Sequence, residues 1–217
     1  MKRVLTLANP ASDSGKTSAA LGIASMLVDL GHQVLAVDLD PQASLTRALG
    51  IDAETLDCSL FHVLMHGTPA IEAMLDTDLG LDVMPATLEL SSIEAALMTR
   101  PGREHLLRSA LEPVRDDYDW IVIDCASSMG LLTLNALAAA DLLVVPMRGH
   151  SARALAQLDA MVAEVKRFVN PALEAAGALA VGTTHDPAVG LPLLAAIPQP
   201  PLALNAYREL AKLLARG

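Results

Sequence analysis

The chain is poor in aromatic side chains. One Trp, two Tyr and two Phe among 217 residues make 2%, so Ala, Leu, Val, Ile and Met must build an interior from the 53% hydrophobic content. The two cysteines, Cys58 and Cys125, sit in unlike contexts and form no metal or redox motif. No apolar run approaches the ~18 residues of a membrane-spanning helix. The opening MKRVLTLANP has two basic residues but too short an apolar stretch for a secretory signal. A cytoplasmic protein without a membrane partner is therefore expected. Positive charge is also scarce: 15 Lys and Arg face 25 Asp and Glu, a net charge of −10 that opposes non-specific nucleic-acid binding. The deficit is uneven. Six basic residues (Arg153, Lys166, Arg167, Arg208, Lys212, Arg216) meet five acidic ones in residues 151–217, so any surface for an anionic partner belongs to that last third.

What the chain does have is a phosphate-loop context at residues 4–18, VLTLANPASDSGKTS. Val4–Ala8 is an apolar run of strand length, six small and polar residues follow, and Gly15-Lys16-Thr17 opens a helical pattern. Loop N–H groups and the positive end of a helix suit a polyphosphate. In that context Lys16 reaches the terminal phosphates and the Thr17 hydroxyl holds Mg²⁺. The bare motif is weak, because Pro10 stands where the full G-x-x-x-x-G-K-[ST] pattern has Gly, and Asp13 brings a negative charge to the phosphates.

Further along, apolar spacing predicts a helix over 18–30 capped by Gly31, and Gln33–Asp38 reads as a buried strand with Asp38-Leu39-Asp40-Pro41-Gln42 at its end. Residues 43–80 read as short helices and loops. Strands follow at Leu81–Pro85, Trp120–Asp124, Leu142–Pro146, Leu179–Thr183 and Leu193–Ile197. Helices are expected at Leu88–Met98, Arg103–Val114, Leu131–Ala140, Ala152–Val169 and Leu202–Leu214. Alternating strands and helices imply an α/β fold: one domain over 1–217 with a doubly wound, mostly parallel sheet and helices on both faces.

At this point the chain resembles the ParA/MinD family of deviant Walker ATPases, the ParA branch in particular. VLTLANP, GKTS, VLAVDLDPQASLT, GREHLLRSALEPV, YDWIVIDCASSMGLLTLNAL and AADLLVVP carry the likeness, in family order from residue 1 to about 170. The resemblance implies a P-loop NTPase that binds ATP or ADP with Mg²⁺, dimerises on nucleotide, turns over slowly and serves DNA partition or cargo positioning. Residues 12–18 (Ser12, Asp13, Ser14, Gly15, Lys16, Thr17, Ser18) match the nucleotide loop, and Lys16 the Walker A lysine. Asp40 matches the switch aspartate that positions the attacking water. Asp124 matches the Walker B aspartate, with Asp38 near the Mg²⁺ shell beside Thr17. A second reading stands for Asp38 and Asp124: carboxylates closing a strand end on loop N–H groups. Implied partners are a second copy, a small ParB-like or adaptor protein, and non-specific DNA through Arg208, Lys212 and Arg216; the last three equally suit a helix C-terminus.

The departures are specific. The family loop K-G-G-x-G-K-T is Ala11-Ser12-Asp13-Ser14-Gly15-Lys16-Thr17 here, so the signature lysine that reaches the partner subunit's nucleotide is Ala11. The family's pair of prolines after the Walker B strand is Ala126-Ser127, and the stretch that supplies adenine contacts is reduced to Pro198-Gln199-Pro200-Pro201. Arg148 is the first candidate for a replacement cation and Arg153 the second, each with the alternative of a solvated loop arginine. The McdA group of cargo-positioning relatives also lacks that lysine. Two rival functions follow: a homologue without hydrolysis or nucleotide binding, acting as a scaffold or regulator, and a ligase resembling dethiobiotin synthetase. His62 and His66, at i and i+4, have a zinc-like spacing with no third ligand nearby, which favours surface histidines.

Overall fold

The computed structural model describes residues 2–149, 152–182, 191–198 and 203–216. The expected features at His150, Thr183, Asp186, 199–201 and Leu202 lie outside those residues. In chain order the elements are β1 (Arg3–Leu7), α1 (Lys16–Asp29), β2 (Val34–Leu39), α2 (Ser44–Ala48), α3 (Leu60–His66), β3 (Leu75–Asp76), β4 (Asp82–Met84) and α4 (Ile93–Ala96). Then come α5 (Leu106–Leu111), β5 (Trp120–Cys125), α6 (Leu131–Ala139), β6 (Leu142–Met147), α7 (Ala152–Phe168), β7 (Glu174–Val181), β8 (Leu193–Ile197) and α8 (Ala203–Arg216).

The eight strands form one sheet in the order β3-β4-β2-β5-β1-β6-β7-β8. Every pairing is parallel except β3 with β4. Parallel strands are covered on both faces, which is why β2, β5 and β6 read as unbroken apolar runs and are buried throughout. Their side chains alternate between two cores. Leu35, Val37, Ile121 and Ile123 pack under α3, α5, α6 and α7. Val34, Ala36, Trp120 and Val122 pack under α1 and α8. The same alternation turns Asp38 and Asp124, register partners at the ends of β2 and β5, to the α1 side.

Two glycines meet a steric demand. Gly15 closes the loop before α1 at φ +90°, and a Cβ there would stand 2.7 Å from Val181 Cγ1. Gly22 lets α1 and α8 approach, since a Cβ on it would lie 2.6 Å from the Tyr207 ring. The expected inward face of α8, Tyr207, Leu210, Ala211 and Leu214, is the buried one; covering each large side chain contributes about 1.5–3 kcal/mol.

The sheet is doubly wound and mostly parallel, as expected, with differences at its edges. The short antiparallel β3 lies inside the stretch read as helices and loops. The helix expected over Leu88–Met98 is a 3-10 turn at Leu88–Ser92 followed by the four-residue α4, because Ser92 bonds back to the Glu89 carbonyl at 2.8 Å. The helix expected over Arg103–Val114 likewise begins as a 3-10 turn. β7 starts at Glu174, five residues before the expected Leu179, because β6 supplies pairing partners for Glu174, Ala175 and Gly177, which have little strand propensity of their own.

Candidate functional site

β1 lies between β5 and β6, so the loop that leaves it opens at the carboxyl edge of the sheet, where the chain has gone to either side. The loop is tied down by its own residues. Asn9 Nδ2 donates to the Pro146 carbonyl at 2.7 Å, and Asn9 Oδ1 accepts from the Ala11 N–H at 2.9 Å. Asp13 takes a left-handed conformation at φ 54°. α1 then begins with no side-chain cap and no acidic residue in its first turn, leaving its first N–H groups turned to the loop.

Here a hollow of about 280 Å³ opens, lined by residues 12–18 together with Asp40 and Arg148. Residues 12–18 and Arg148 are the ones singled out from sequence for nucleotide binding, and Asp40 the one for positioning the attacking water. Ser44 and Ser127 line it as well and escaped the sequence reading, because serine outside a motif carries no signal. Arg153 is exposed at the start of α7 and lines no hollow among the described residues. Arg148 reaches a second, more apolar hollow of about 190 Å³, shared with Ser18 and closed by Val181, Gly182, Ile197, Pro198, Ala203 and Tyr207.

Lys16 is buried at 6% exposure. Its ammonium lies 3.0 Å from the Asn9 carbonyl, 3.1 Å from the Ala11 carbonyl, 3.3 Å from Ser14 Oγ and 2.8 Å from Ser127 Oγ. Burial lowers its pKa, and Asp124, Cys125, Asp40 and Asp13 pull against that fall.

The two strand-end carboxylates behave differently. Asp38 accepts from the Asp40 N–H at 3.1 Å and from both the N–H and the hydroxyl of Thr46, at 2.8 and 2.7 Å. Burial still lifts it to about 6. That is the geometry of the alternative reading, a carboxylate closing a strand end on loop donors, and it leaves little capacity for a cation. Asp124 is fully buried, and neither of its oxygens has a hydrogen bond of ordinary geometry among the described residues. Burial first, then the Asp38 charge, pushes it up to about 8, while the nearby Thr17 hydroxyl and Lys16 pull it down. A buried carboxylate without a partner is costly unless something cationic completes it. Among the described residues no group of three His, Cys, Asp or Glu forms a metal cage, so a cation beside Asp124 and Thr17 would take its other ligands from water and phosphate, the habit of Mg²⁺.

Signals outside the hollow resolve simply. His62 belongs to the Ser59 capping box of α3. Cys125 is buried. Arg208 pairs with Asp29 at 3.1 Å and Lys212 with Glu209 at 2.7 Å, so two of the three cations on the α8 stripe already face carboxylates. No helix among the described residues is long and apolar enough to cross a membrane.

A family described as an AAA domain matches residues 2–175. The sporulation initiation inhibitor protein Soj of Bacillus subtilis is 35% identical over 182 residues, 82% of this chain and 72% of Soj. The chain belongs to the ParA/MinD family. The chromosome partitioning protein ParA of Myxococcus xanthus is 37% identical over 180 residues, 82% of this chain but 64% of that relative, so this ParA-like chain spans less than two thirds of its length. Among solved structures, a cobyrinic acid a,c-diamide synthase from Mycobacterium smegmatis with bound ADP and magnesium superposes with a TM-score of 0.94 at 38% identity, over 100% of this chain and 95% of that one. The P-loop fold and a place among ParA-like proteins follow from these relatives.

Proposed function

We propose that the chain is a ParA-like switch that binds Mg²⁺ with ATP or ADP in the hollow at the head of α1, dimerises on ATP and hydrolyses it slowly. The observation that carries this reading is the fully buried Asp124 carboxylate, beside Thr17 and without a hydrogen bond of ordinary geometry among the described residues, behind a loop whose left-handed Gly15 frees the first N–H groups of α1. Those N–H groups and Lys16 bind phosphate oxygens. Thr17 and Asp124 hold the cation, Asp124 through water, and Asp38 fixes the chain that presents Asp40. A bound divalent cation neutralises charge on the transferred phosphoryl group. Asp40, at the rim, orients the attacking water. Residues 12–18 line the phosphate path, and Asp13 weakens it by repulsion.

The second hollow suits the base, and Arg148, which lines both, replaces the charge lost at Ala11. The biological role we assign is DNA partition or cargo positioning with a small ParB-like or adaptor partner. DNA contact through Arg208, Lys212 and Arg216 requires two surface ion pairs to open, so it is weak and steeply salt-dependent. Calorimetry with Mg²⁺-ATP and Mg²⁺-ADP tests the core of the proposal; no binding at millimolar nucleotide overturns it in favour of a scaffold.

A second reading, nucleotide-dependent amidation of a carboxylic acid, is favoured by the likeness to the 38%-identical Mycobacterium smegmatis cobyrinic acid a,c-diamide synthase. ATP turnover that requires cobyrinic acid and an amide donor would select this reading.

A further inference from the structure

The Lys16 ammonium has three hydrogens and four oxygens within reach, so any phosphate that takes this lysine must displace an acceptor already present. The shortest of the four contacts, 2.8 Å, is to Ser127. Three of the acceptors, Asn9, Ala11 and Ser14, belong to the loop that carries Lys16 itself. Ser127 comes from elsewhere, the segment between β5 and α6.

That segment is anchored at its far end. Glu94 accepts from the Leu131 N–H at 2.8 Å, and the Thr133 hydroxyl donates to the Ser128 carbonyl at 2.6 Å. Glu94 also lies against Gly130 so closely that a Cβ there would stand 1.7 Å from its carboxylate. At the near end, among the described residues, the bond from Lys16 to Ser127 is the one hydrogen bond joining residues 126–130 to the β1–α1 loop. Ser127 is itself exposed at the hollow. The hydroxyl is thus an exchangeable ligand of the phosphate-binding lysine, mounted on the short segment between the end of β5 and the Thr133 and Glu94 anchors.

We propose that Ser127 is a positioning residue for Lys16: its hydroxyl holds the ammonium in the ligand-free site, competes with phosphate for it, and releases residues 126–129 when phosphate wins. This rests on the nucleotide reading above. A ligand shifts such an equilibrium only by its differential affinity for the two arrangements, so removing the competitor tightens phosphate binding without adding a contact.

The test compares the parent with Ser127→Ala and Ser127→Thr, using hydrogen exchange of the 126–129 amides without ligand and calorimetry with Mg²⁺-ADP and with pyrophosphate. Ser127→Ala should exchange several-fold faster without ligand and bind both probes on the order of fivefold more tightly, the scale of one released charge-assisted hydrogen bond after partial compensation by its neighbours. Ser127→Thr keeps a hydroxyl and should restore the parent in both measurements. A Ser127→Ala variant that matches the parent, or that binds more weakly, overturns the proposal, the latter because it would make the hydroxyl a phosphate ligand. A parent that binds neither probe overturns the proposed function instead, and the ligand-free exchange then decides by itself whether Ser127 holds its segment to Lys16.

Discussion

Asp124→Asn should make the ligand-free protein more stable while damaging its Mg²⁺ site. The side chain is fully buried, has no hydrogen-bond partner of ordinary geometry among the described residues, and lies in register with the Asp38 carboxylate. Its carboxyl is raised from 3.8 to about 8 in the folded state. A raised acid binds its proton more tightly in the native fold than in the unfolded chain. Its favourable contribution is therefore present below about pH 4, declines as pH rises, and is lost by about pH 8. At about 1.4 kcal/mol per pH unit the cost at pH 8 has an upper bound of about 5 kcal/mol.

The rise belongs partly to Asp38, and asparagine forfeits the attraction to Lys16, so about 2 kcal/mol is the relief expected from the substitution. For a chain of this size that raises Tm by roughly 4–8 °C at pH 8, against little change at pH 4.5. Thermal unfolding at both pH values without nucleotide measures it. Calorimetry should show the Mg²⁺-dependent part of nucleotide affinity falling about tenfold or more, since a charged ligand is replaced by a neutral amide. An Asp124→Asn protein destabilised equally at both pH values would show that the carboxylate has a satisfying partner, and the cation argument would fall with it.

Asp40→Ala should leave Mg²⁺-ATP affinity within about twofold and abolish hydrolysis, because the side chain lies at the rim of the hollow; parental turnover would remove its water-orienting role. Gly22→Ala gains about 1 kcal/mol of helix propensity but drives a methyl into Tyr207, 2.6–2.8 Å from three ring atoms that include its root; a net loss of about 1–2 kcal/mol should appear in urea unfolding and be recovered by adding Tyr207→Leu. Ala11→Lys with Asp13→Gly should tighten ATP-dependent self-association in sedimentation and Arg148→Ala should weaken it; a parent that dimerises tightly whether or not Arg148 is present refutes the replacement of charge. Any DNA shift should fade between 50 and 200 mM salt and vanish in Arg208→Glu with Lys212→Glu, and an unaffected double variant would clear α8 of that role.

The sequence by itself determined the central part of the sheet. β1, β2, β5 and β6 are buried on both faces, and burial on both faces writes continuous apolar runs that need no knowledge of their neighbours. It also marked the hollow, because a glycine-lysine-threonine turn between strand and helix is a local geometry with a local code. The inward face of α8 was legible for a similar reason, a period of 3.6 against a polar background. Tertiary structure decided what depends on contacts distant in sequence. β3 and the first half of β7 are strands because β4 and β6 offer them hydrogen bonds that their own residues do not call for. Asp38 and Asp124 look alike in the sequence, each an acid closing an apolar strand. They became different only when Thr46 closed over Asp38 while Asp124, among the described residues, gained no hydrogen bond of ordinary geometry, a distinction set by which donors the folded chain brings within 3 Å. Ser127 was silent for the same reason, since a hydroxyl means little until the fold places it 2.8 Å from a buried ammonium 111 residues away.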